Sequence, residues 1–379
     1  MRILLIGEFS RLHNSLKEGL IANGHQVTLI ANGDGFKNYP ADLSIKGVFF
    51  SSVYGTFIKK IVHRLFKYDL VKLEHGIRFY FHLNKLKHFD VVQFINESPI
   101  QTHPRFEQFL LQKIVANNGA CFLLCCGPDY NVVQYLMSKK ERYSIMNPYF
   151  ENTNSKEEYQ FILEFISENH YKLHHFLQQK IRGIIATDID YHLPMQNNPK
   201  YIGLIPNPIN ISKINYENQP ISGKIIIFLG INRSTYYTKG ISFFEEALKI
   251  ISQKYGNSIE IIISENVPYL EYLEKYNSCH ILLDQVYGFD QGYNALEAMA
   301  KGKVVFTGAE SEFYTYYKID QKIAINTLPS VSYIVEELSN LIENPSEITK
   351  IGFQARQFVE HYHDYIKIAN QYENLWVSN

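Results

Sequence analysis

Cysteine is scarce in this sequence, and the four cysteines do not form a known motif. No pair has the CxxC spacing of a redox centre or a zinc site. Each lies in an apolar, strand-like run: Cys121, Cys125, Cys126 and Cys279. We therefore predict reduced thiols in the protein core, as in cytosolic proteins.

Long apolar runs are missing as well. No run approaches the roughly 18 residues that a membrane-spanning helix needs, and the run at residues 3–6 is too short for the core of a signal peptide. Apolar residues make up 46% of the chain and charged residues 20%, which is typical of a folded globular protein. These features predict a protein of the cytoplasm.

Net charge is also lacking. The 37 basic and 38 acidic residues nearly cancel, so the whole chain favours neither nucleic acid nor an acidic partner. The local exception is residues 46–88, where nine lysines and arginines stand against Asp69 and Glu74 and aromatic residues are interleaved. Such a stretch could lie on an anionic membrane surface on the inner face of the plasma membrane. A solvated helix whose aromatic residues fill the core would have the same composition.

The dinucleotide fingerprint GxGxxG is absent. A predicted strand ends at Gly7, but Glu8, Phe9, Ser10 and Arg11 follow it, which disfavours a NAD-dependent dehydrogenase. The chain instead alternates strand and helix patterns, which predicts two Rossmann-like, doubly wound parallel α/β domains facing each other across a cleft.

A proline-punctuated connection at residues 206–209 indicates the domain boundary. We place the first domain at 1–212, the second at 213–362, and a C-terminal helix that returns to the first domain at 363–379.

Residues 279–307 have the pattern of one strand–helix–strand unit. A buried strand at 280–284 is followed by a loop that contains Gly292 and by a helix that contains Asn294 and Glu297. Ligands of parallel sheets bind at this edge, and helix amides there favour phosphate. Glu297 could therefore bind a ligand, or it could form a capping box with Asn294, three residues before it.

Polar residues follow two other predicted strands of the first domain. Glu97 follows the strand at residues 90–95, and Asp129 follows the strand at 120–126. Because the carboxyl ends of parallel strands share one edge of a sheet, we expect both near Gly7. His13, on the helix after Gly7, is expected at the same edge, unless it is a core or surface residue.

Four segments together resemble the GT-B glycosyltransferases, and most closely glycosyltransferase family 4. They are GHQVT at 24–28, IPNPIN at 205–210, FLG at 228–230 with KG at 239–240, and GYNALEAMAKG at 292–302. The resemblance implies a hexosyltransferase-like enzyme that moves a sugar from a UDP- or GDP-linked donor, with retention of configuration, to a glycan or lipid-linked acceptor. It implies no cofactor and no metal, and a place in cell-surface polysaccharide or glycolipid biosynthesis.

The resemblance also assigns donor-binding residues. Glu297 matches the second glutamate of the EX7E pair, which binds the ribose, and Lys239 matches a lysine that binds the diphosphate. Other residues that it places near the donor are Gly7, Gly230, Gly292 and Asn294. Two positions depart from the family pattern: Phe289 replaces the first glutamate, and Ile231 replaces an arginine. We expect Asp290 and Arg233 to take over these two roles.

For the acceptor, the resemblance points to the first domain, where a histidine that is frequent in the family is missing. Asp129, Glu97 and His13 are the candidates to orient the acceptor hydroxyl. The DXD string at 188–190 is read as a chance match, and the histidines at 170, 174 and 175 as part of a solvated helix. Two alternatives stay open, a nucleotide-sugar epimerase of the same fold and a catalytically inactive scaffold at the membrane.

Overall fold

The protein is described by a computed structural model that covers residues 1–66, 69–151, 157–217, 221–265, 267 and 269–379. Its first sheet has seven parallel strands in the order β3-β2-β1-β4-β5-β6-β7. The strands are β1 Arg2–Ile6, β2 Gln26–Ala31, β3 Leu43–Ser44, β4 Val91–Ile95, β5 Ala120–Cys125, β6 Gly183–Ala186 and β7 Tyr201–Leu204. The central strands are buried on both faces, because helices cover both sides of the sheet.

The helices of this half alternate with its strands. They are α1 Leu12–Ala22, α2 Val53–Phe66, α3 Leu70–His82, α4 Pro104–Asn117, α5 Tyr130–Met137, α6 Asn147–Phe150, α7 Gln160–Leu163, α8 Glu168–Lys180 and α9 Ile189–Met195. Local sequence determines where several of these helices begin. Asp69 accepts a hydrogen bond from the Val71 amide at the start of α3, and Pro104 is the first residue of α4.

The second sheet has five parallel strands in the order β12-β11-β10-β8-β9. They are β8 Ile225–Ile231, β9 Ile259–Glu265, β10 Ile281–Leu283, β11 Val304–Thr307 and β12 Ile325–Asn326. Its helices are α10 Ile241–Tyr255, α11 Tyr269–Ser278, α12 Tyr293–Ala300, α13 Ser311–Tyr317, α14 Val331–Glu343 and α15 Pro345–Tyr362. The predicted fold class, two parallel-sheet α/β domains, is confirmed. Within the described residues, no helix is long and apolar enough to cross a membrane.

The chain crosses between the two halves twice, and the crossings are hydrogen-bonded to each other. The Ile209 amide donates to the His363 carbonyl at 2.7 Å, and the Tyr365 amide donates to the Ile209 carbonyl at 3.2 Å. The His363 ring also donates from Nδ1 to the Asn207 carbonyl at 2.8 Å. These contacts join the two crossings into one short bridge.

The last helix, α16 Tyr365–Ser378, packs on the first domain. A methyl group at Gly19 of α1 would lie 2.2 Å from the Tyr365 carbonyl oxygen, so only glycine allows this approach. Farther along, the ring of Trp376 packs against Phe122 of β5 at 6.4 Å between centroids. The C-terminal helix is therefore part of the first domain's core.

We expect Trp376→Ala to destabilise the first domain by about 3–5 kcal/mol, the usual loss for a buried large aromatic residue. Chemical denaturation followed by circular dichroism measures this change. Val377→Ala, next to it but 73% exposed, is the matched control and should change stability by less than about 0.5 kcal/mol. Equal midpoints for the two variants would show that α16 does not contribute to this core.

Candidate functional site

The loop after β1 is tightly wound against the end of β4. Gly7 has φ +86°, and a methyl group there would lie 2.3 Å from Ile95 Cγ2 and 2.6 Å from the Pro99 carbonyl oxygen, so glycine is required. Ser10 and Arg11 are also left-handed, with φ of 49° and 72°, and lead directly into α1. This strained turn holds the loop at the edge of the sheet that faces the second domain.

His13 lies beneath this loop rather than in the cleft. Its Nδ1 donates to the Gly7 carbonyl at 2.8 Å, and Gln93 Nε2 donates to its Nε2 at 3.2 Å. Burial lowers the pKa of His13 to about 4, so the ring is neutral and both nitrogens are engaged. The expectation that His13 orients an acceptor is therefore wrong, and its role is to support the loop.

Glu8 is a polar residue of this loop that the sequence patterns did not single out. Its side chain is 1% exposed, and Oε2 accepts hydrogen bonds from the Asn14 amide at 2.9 Å and from Asn14 Nδ2 at 2.6 Å. Oε1 is buried and has no hydrogen-bond partner among the described residues. Burial, with a smaller effect of Asp34, raises the pKa of Glu8 to about 8. An acid directly after a strand-end glycine is the signal that could have identified it.

Helix α12 faces this loop from the second domain. The Tyr293 hydroxyl lies 2.6 Å from Ser15 Oγ of α1 and joins the two elements. The helix begins at Tyr293 and its N-cap is Gly292 rather than Asn294, so the capping box of Asn294 and Glu297 does not form. A methyl group at Gly292 would meet no atom within 4 Å, which leaves open space beside the helix start.

The carboxylate of Glu297 has no hydrogen-bond partner among the described residues. Burial raises its pKa, although the charges of Arg11 and Lys301 act in the opposite direction. Because Arg11 belongs to the loop after β1, Glu297 lies where the two domains meet.

Lys239 and Asn294 converge on one buried acid at the end of β10. Lys239 Nζ lies 2.9 Å from Asp284 Oδ1, and Asn294 Nδ2 donates to the same oxygen at 3.2 Å. Asp284 is buried, whereas the lysine side chain is about one-third exposed. The structure thus places a partly exposed cation beside the start of α12.

Arg233 does not join this group. Its guanidinium binds both carboxylate oxygens of Glu265 at the end of β9, at 2.7 and 2.5 Å, and lies 4.9 Å from the centre of the Tyr236 ring. Gly230 lies inside β8, where a methyl group would be 2.8 Å from the ring of Tyr272. The expectation that Arg233 replaces the missing arginine is not supported, because Glu265 already binds it.

Phe289 is a packing residue between the domains. Its buried ring lies 5.4 Å from the Tyr143 ring and 5.0 Å from the guanidinium carbon of Arg142. The same arginine forms ion pairs with Glu310 and Glu312 of the second domain at 3.0 and 2.9 Å. A glutamate at position 289 would have to enter an aromatic contact instead of an open site.

Asp190 and Asp290 exchange hydrogen bonds across the domain interface, an arrangement we call the carboxylate clasp. Asp190 accepts from the Phe289 amide at 3.0 and 3.1 Å and from the Asp290 amide at 3.1 Å. Asp290 accepts from the Ile189 amide at 3.0 Å and from the Gln291 amide at 2.7 Å. Both oxygens of Asp290 thus bind backbone amides, which does not support the expectation that it replaces the first glutamate.

Asp188 completes an acidic group at the clasp. Its Oδ1 is buried without a hydrogen-bond partner among the described residues. Burial, and then the charges of Asp190 and Asp290, raise its pKa well above the usual value. Burial also raises the pKa of Asp190 to about 6 and that of Asp290 to about 7. No group of three or more ligating side chains that could hold a metal ion occurs in the part of the chain that the structure describes.

Glu97 and Asp129 lie together at the carboxyl ends of β4 and β5, but both have structural contacts. Asp129 caps α5 by accepting from the Val132 amide at 2.8 Å, and burial followed by the charge of Glu97 raises its pKa to about 7. Glu97 accepts from the Tyr130 amide at 3.1 Å and lies 2.5 Å from His174 Nδ1. Neither has the unpartnered buried oxygen that Glu8 has.

The histidine helix is solvated on one side only. His175 of α8 is exposed, as predicted, whereas His170 and His174 are buried, so the prediction of solvated histidines is wrong for these two. Burial lowers the pKa of His174, but the hydrogen bond with Glu97 and the charges of Glu97 and Asp129 together outweigh burial, so that the pKa lies above its usual value. His174 is therefore a buried partner of Glu97.

The raised pKa values of the acidic group predict that Asp188→Asn is more stable than the wild type at pH 8 but not at pH 5. Folding raises the pKa of such an acid above its unfolded value of about 4, so the folded state favours the protonated form. Its contribution to the free energy of unfolding is present in full below pH 4 and is lost as the pH rises through the pKa of the folded state. Removing one charge should therefore raise stability by on the order of 1 kcal/mol at high pH. Thermal unfolding at both pH values measures this difference.

The control for this measurement is Asp320→Asn, which changes an exposed acid of the second domain. It should leave the difference between the two pH values as in the wild type. A loss of stability in Asp188→Asn at pH 8 would show that repulsion at the clasp is not the dominant effect.

Comparison with known proteins identifies the fold. Residues 239–374 match a family model described as glycosyl transferase-like. Sucrose-phosphate synthase from Thermosynechococcus elongatus is similar, with a TM-score of 0.60, 13% identity and coverage of 100% of this chain and 98% of that chain. Anabaena HepE in complex with UDP and glucose has a TM-score of 0.59 and 11% identity, with full coverage of both chains. No curated protein sequence matches the chain.

An epimerase has the same architecture. UDP-GlcNAc 2-epimerase from Neisseria meningitidis, bound to UDP-GlcNAc, has a TM-score of 0.53 and 11% identity, again with full coverage of both chains. Identities this low relate the folds only. By its fold this chain is therefore a GT-B protein, and its second half resembles the glycosyl transferase-like family.

Proposed function

We propose that this protein is a metal-independent glycosyltransferase that moves a sugar from a nucleotide-diphosphate sugar to a glycan or lipid-linked acceptor, with retention of configuration. The observation that carries the proposal is Glu297, a half-buried carboxylate without a hydrogen-bond partner among the described residues, where α12 meets the loop after β1. Its oxygens are free to accept hydrogen bonds, and vicinal ribose hydroxyls supply two donors. A role in cell-surface polysaccharide or glycolipid synthesis is part of the proposal.

The diphosphate would bind at the start of α12. The first amides of a helix point out of it and favour an anion, and there is open space beside Gly292. Lys239 adds a positive charge that Asp284 and Asn294 hold in place. These groups would stabilise the negative charge that the nucleoside diphosphate gains as the glycosidic bond breaks.

The base of the donor is proposed to be uracil, with guanine as the alternative. Support comes from HepE, whose solved complexes contain UDP or UDP-glucose, and from the epimerase, which was solved with UDP-GlcNAc. The donor sugar would be recognised differently from the family pattern, because Phe289 packs on Tyr143 and the clasp occupies Asp290.

The epimerase is the second candidate function, and the similarity to the Neisseria enzyme favours it. An inactive scaffold is the third, and the packing of Phe289 favours it. A labelled donor separates the three: a transferase yields a new glycoside, an epimerase yields an isomeric nucleotide sugar, and a scaffold yields neither.

We expect Glu297→Ala to weaken donor binding by roughly 1.5–3 kcal/mol, or about 10- to 150-fold, because charge-assisted hydrogen bonds to the ribose are lost. Isothermal calorimetry with UDP-glucose, UDP-N-acetylglucosamine and GDP-mannose measures this loss. Glu336→Ala, an exposed glutamate on α14 of the same domain, is the control and should bind as the wild type does. Absence of binding heat with all three sugars would refute the proposed function.

The proposal also includes membrane contact by the first domain, the domain expected to bind the acceptor. Residues 46–88 of this domain would lie on an anionic membrane surface. Phe57 of α2 and Phe81 of α3 are 70% and 75% exposed. Glu74 accepts the amides of residues 48–50 at 2.9–3.0 Å, which fixes the loop that exposes Val48 and Phe49. Lys67 and Tyr68, part of the same predicted stretch, lie outside the described residues.

Charge complementarity is the reason to choose an anionic lipid surface over another partner. The stretch also exposes several cations: Lys46, Arg64, Lys72 and Lys85. Each cation near such a surface contributes about 1 kcal/mol, and exposed aromatic side chains insert between the head groups.

We expect the protein to sediment with phosphatidylserine-containing vesicles at low salt and to be released from them at high salt, because salt screens the attraction between the exposed cations and the lipid head groups. The double variant Phe57→Ser/Phe81→Ser should pellet several-fold less, whereas Phe353→Ser, half-exposed on α15 of the other domain, should pellet as the wild type does. Two results would contradict the membrane proposal: the protein pellets equally with zwitterionic and with anionic vesicles, or it does not pellet with anionic vesicles at low salt.

A further inference from the structure

A cavity of about 150 Å³ lies between the two domains, beside the start of α12. Its wall includes Gly292, the N-cap residue of that helix, and Gln285 and Gly288 of the loop that leads to it. The first domain forms the other side with residues that follow β5 and β6, among them Pro128 and Asp188. The cavity therefore adjoins the place where the diphosphate of the donor is proposed to bind.

Most of the wall of this cavity is apolar or aromatic. The side chains come from both domains: Val132, Leu136, Tyr143, Leu193, Tyr287 and Phe289. The buried rings of Tyr143 and Phe289 contact each other at 5.4 Å between centroids, and the Tyr143 hydroxyl is hydrogen-bonded to Glu310. These two rings thus offer a ligand an apolar surface and no hydrogen bond.

The polar side chains of the wall are mostly engaged with the protein itself. Asp190 accepts two backbone amides at 3.0 and 3.1 Å, and Glu141 accepts a hydrogen bond from the Tyr135 hydroxyl. Gln285 Nε2 donates to the Asp290 carbonyl at 3.3 Å. A sugar that carries a hydroxyl on every carbon would therefore bury some of these hydroxyls against apolar groups, which is unfavourable because they lose their hydrogen bonds to water.

The size and the position of the cavity limit what it can hold. Pockets for drug-sized ligands have volumes of roughly 300–1,000 Å³, so this smaller cavity suits a single sugar ring rather than an oligosaccharide. A second cavity of about 290 Å³ adjoins it through Tyr135 and Glu141, but its wall contains Lys139 and Lys140 and no described residue of the second domain. The smaller cavity is therefore the one that a ligand bound at the start of α12 enters.

We propose that this cavity holds the sugar of the donor and selects a 6-deoxy hexose, whose methyl group packs against Phe289. This inference rests on the proposed glycosyltransferase function. The sugar is bonded directly to the diphosphate, so a diphosphate beside Gly292 places the sugar ring in the cavity that Gly292 lines. Loss of a hydroxyl from a ring carbon leaves only a hydrogen atom. Loss of the hydroxyl from C6 leaves a methyl group, whose apolar area an aromatic wall favours.

Calorimetry with the full chain and without an acceptor tests this selection. UDP-glucose, UDP-N-acetylglucosamine and GDP-mannose are each compared with their own 6-deoxy counterpart, which has the same base, diphosphate and ring. Because these groups are shared, we expect both members of a pair to bind. In the pair that binds most tightly, the 6-deoxy donor should bind about 10- to 100-fold more tightly, the range in which an apolar pocket rejects an added hydroxyl.

Two substitutions of Phe289 separate the polarity of the wall from its size. Phe289→Gln places a hydrogen-bonding group in the wall and should reduce the preference to within about threefold. Its affinity for the free nucleoside diphosphate, which has no sugar, should stay within about twofold of the wild type. Phe289→Leu is the matched control: it also removes the ring but keeps the wall apolar, so the preference should remain. Thermal unfolding shows whether each variant is folded, and the wild-type comparison decides the proposal if Phe289→Gln is not.

The outcomes separate the two proposals. If the wild type binds none of the six nucleotide sugars, the proposed function fails, and the choice of sugar fails with it. If a donor binds but no 6-deoxy counterpart binds more tightly than its partner, only the selection of a 6-deoxy sugar is overturned. The same conclusion follows if Phe289→Gln is folded and keeps the full preference of the wild type, because the wall at this position then does not select the sugar.

Discussion

The carboxylate clasp fixes the relative position of the two domains, and the geometry of the cleft depends on it. Buried backbone amides need acceptors, and each domain supplies them to the other: Asp190 to Phe289 and Asp290, and Asp290 to Ile189. Side-chain packing alone, such as that of Phe289 on Tyr143, would allow the two domains to slide against each other. Hydrogen bonds depend on direction and prevent such sliding, so the loop before α12 has a single position relative to the first sheet.

The acids of the cleft fall into two groups according to their hydrogen bonds. Asp129 and Asp290 have backbone amides as partners and serve the fold. Glu8 keeps one buried oxygen without a partner among the described residues, and such burial costs stability. Glu297 is only half-buried and has no hydrogen-bond partner among the described residues.

The sequence predicts the architecture, because alternating strand and helix patterns are local. Lys239, Asn294 and Glu297 remain predicted site residues, and the structure places all three at or near the start of α12. The contacts of other predicted residues could not be foreseen, because they join distant parts of the chain. Asp290 is bound by an amide about a hundred residues away, and Arg233 is bound by Glu265 at the end of β9. No local pattern encodes these contacts.

The bridge between the two crossings has a consequence for motion. Because Ile209 is hydrogen-bonded to both His363 and Tyr365, the chain passes between the domains through one narrow place. Rotation about this place changes few backbone angles, whereas translation would break the bridge. The bridge is thus placed to act as a hinge axis, and any rotation about it would have to break the hydrogen bonds of the carboxylate clasp.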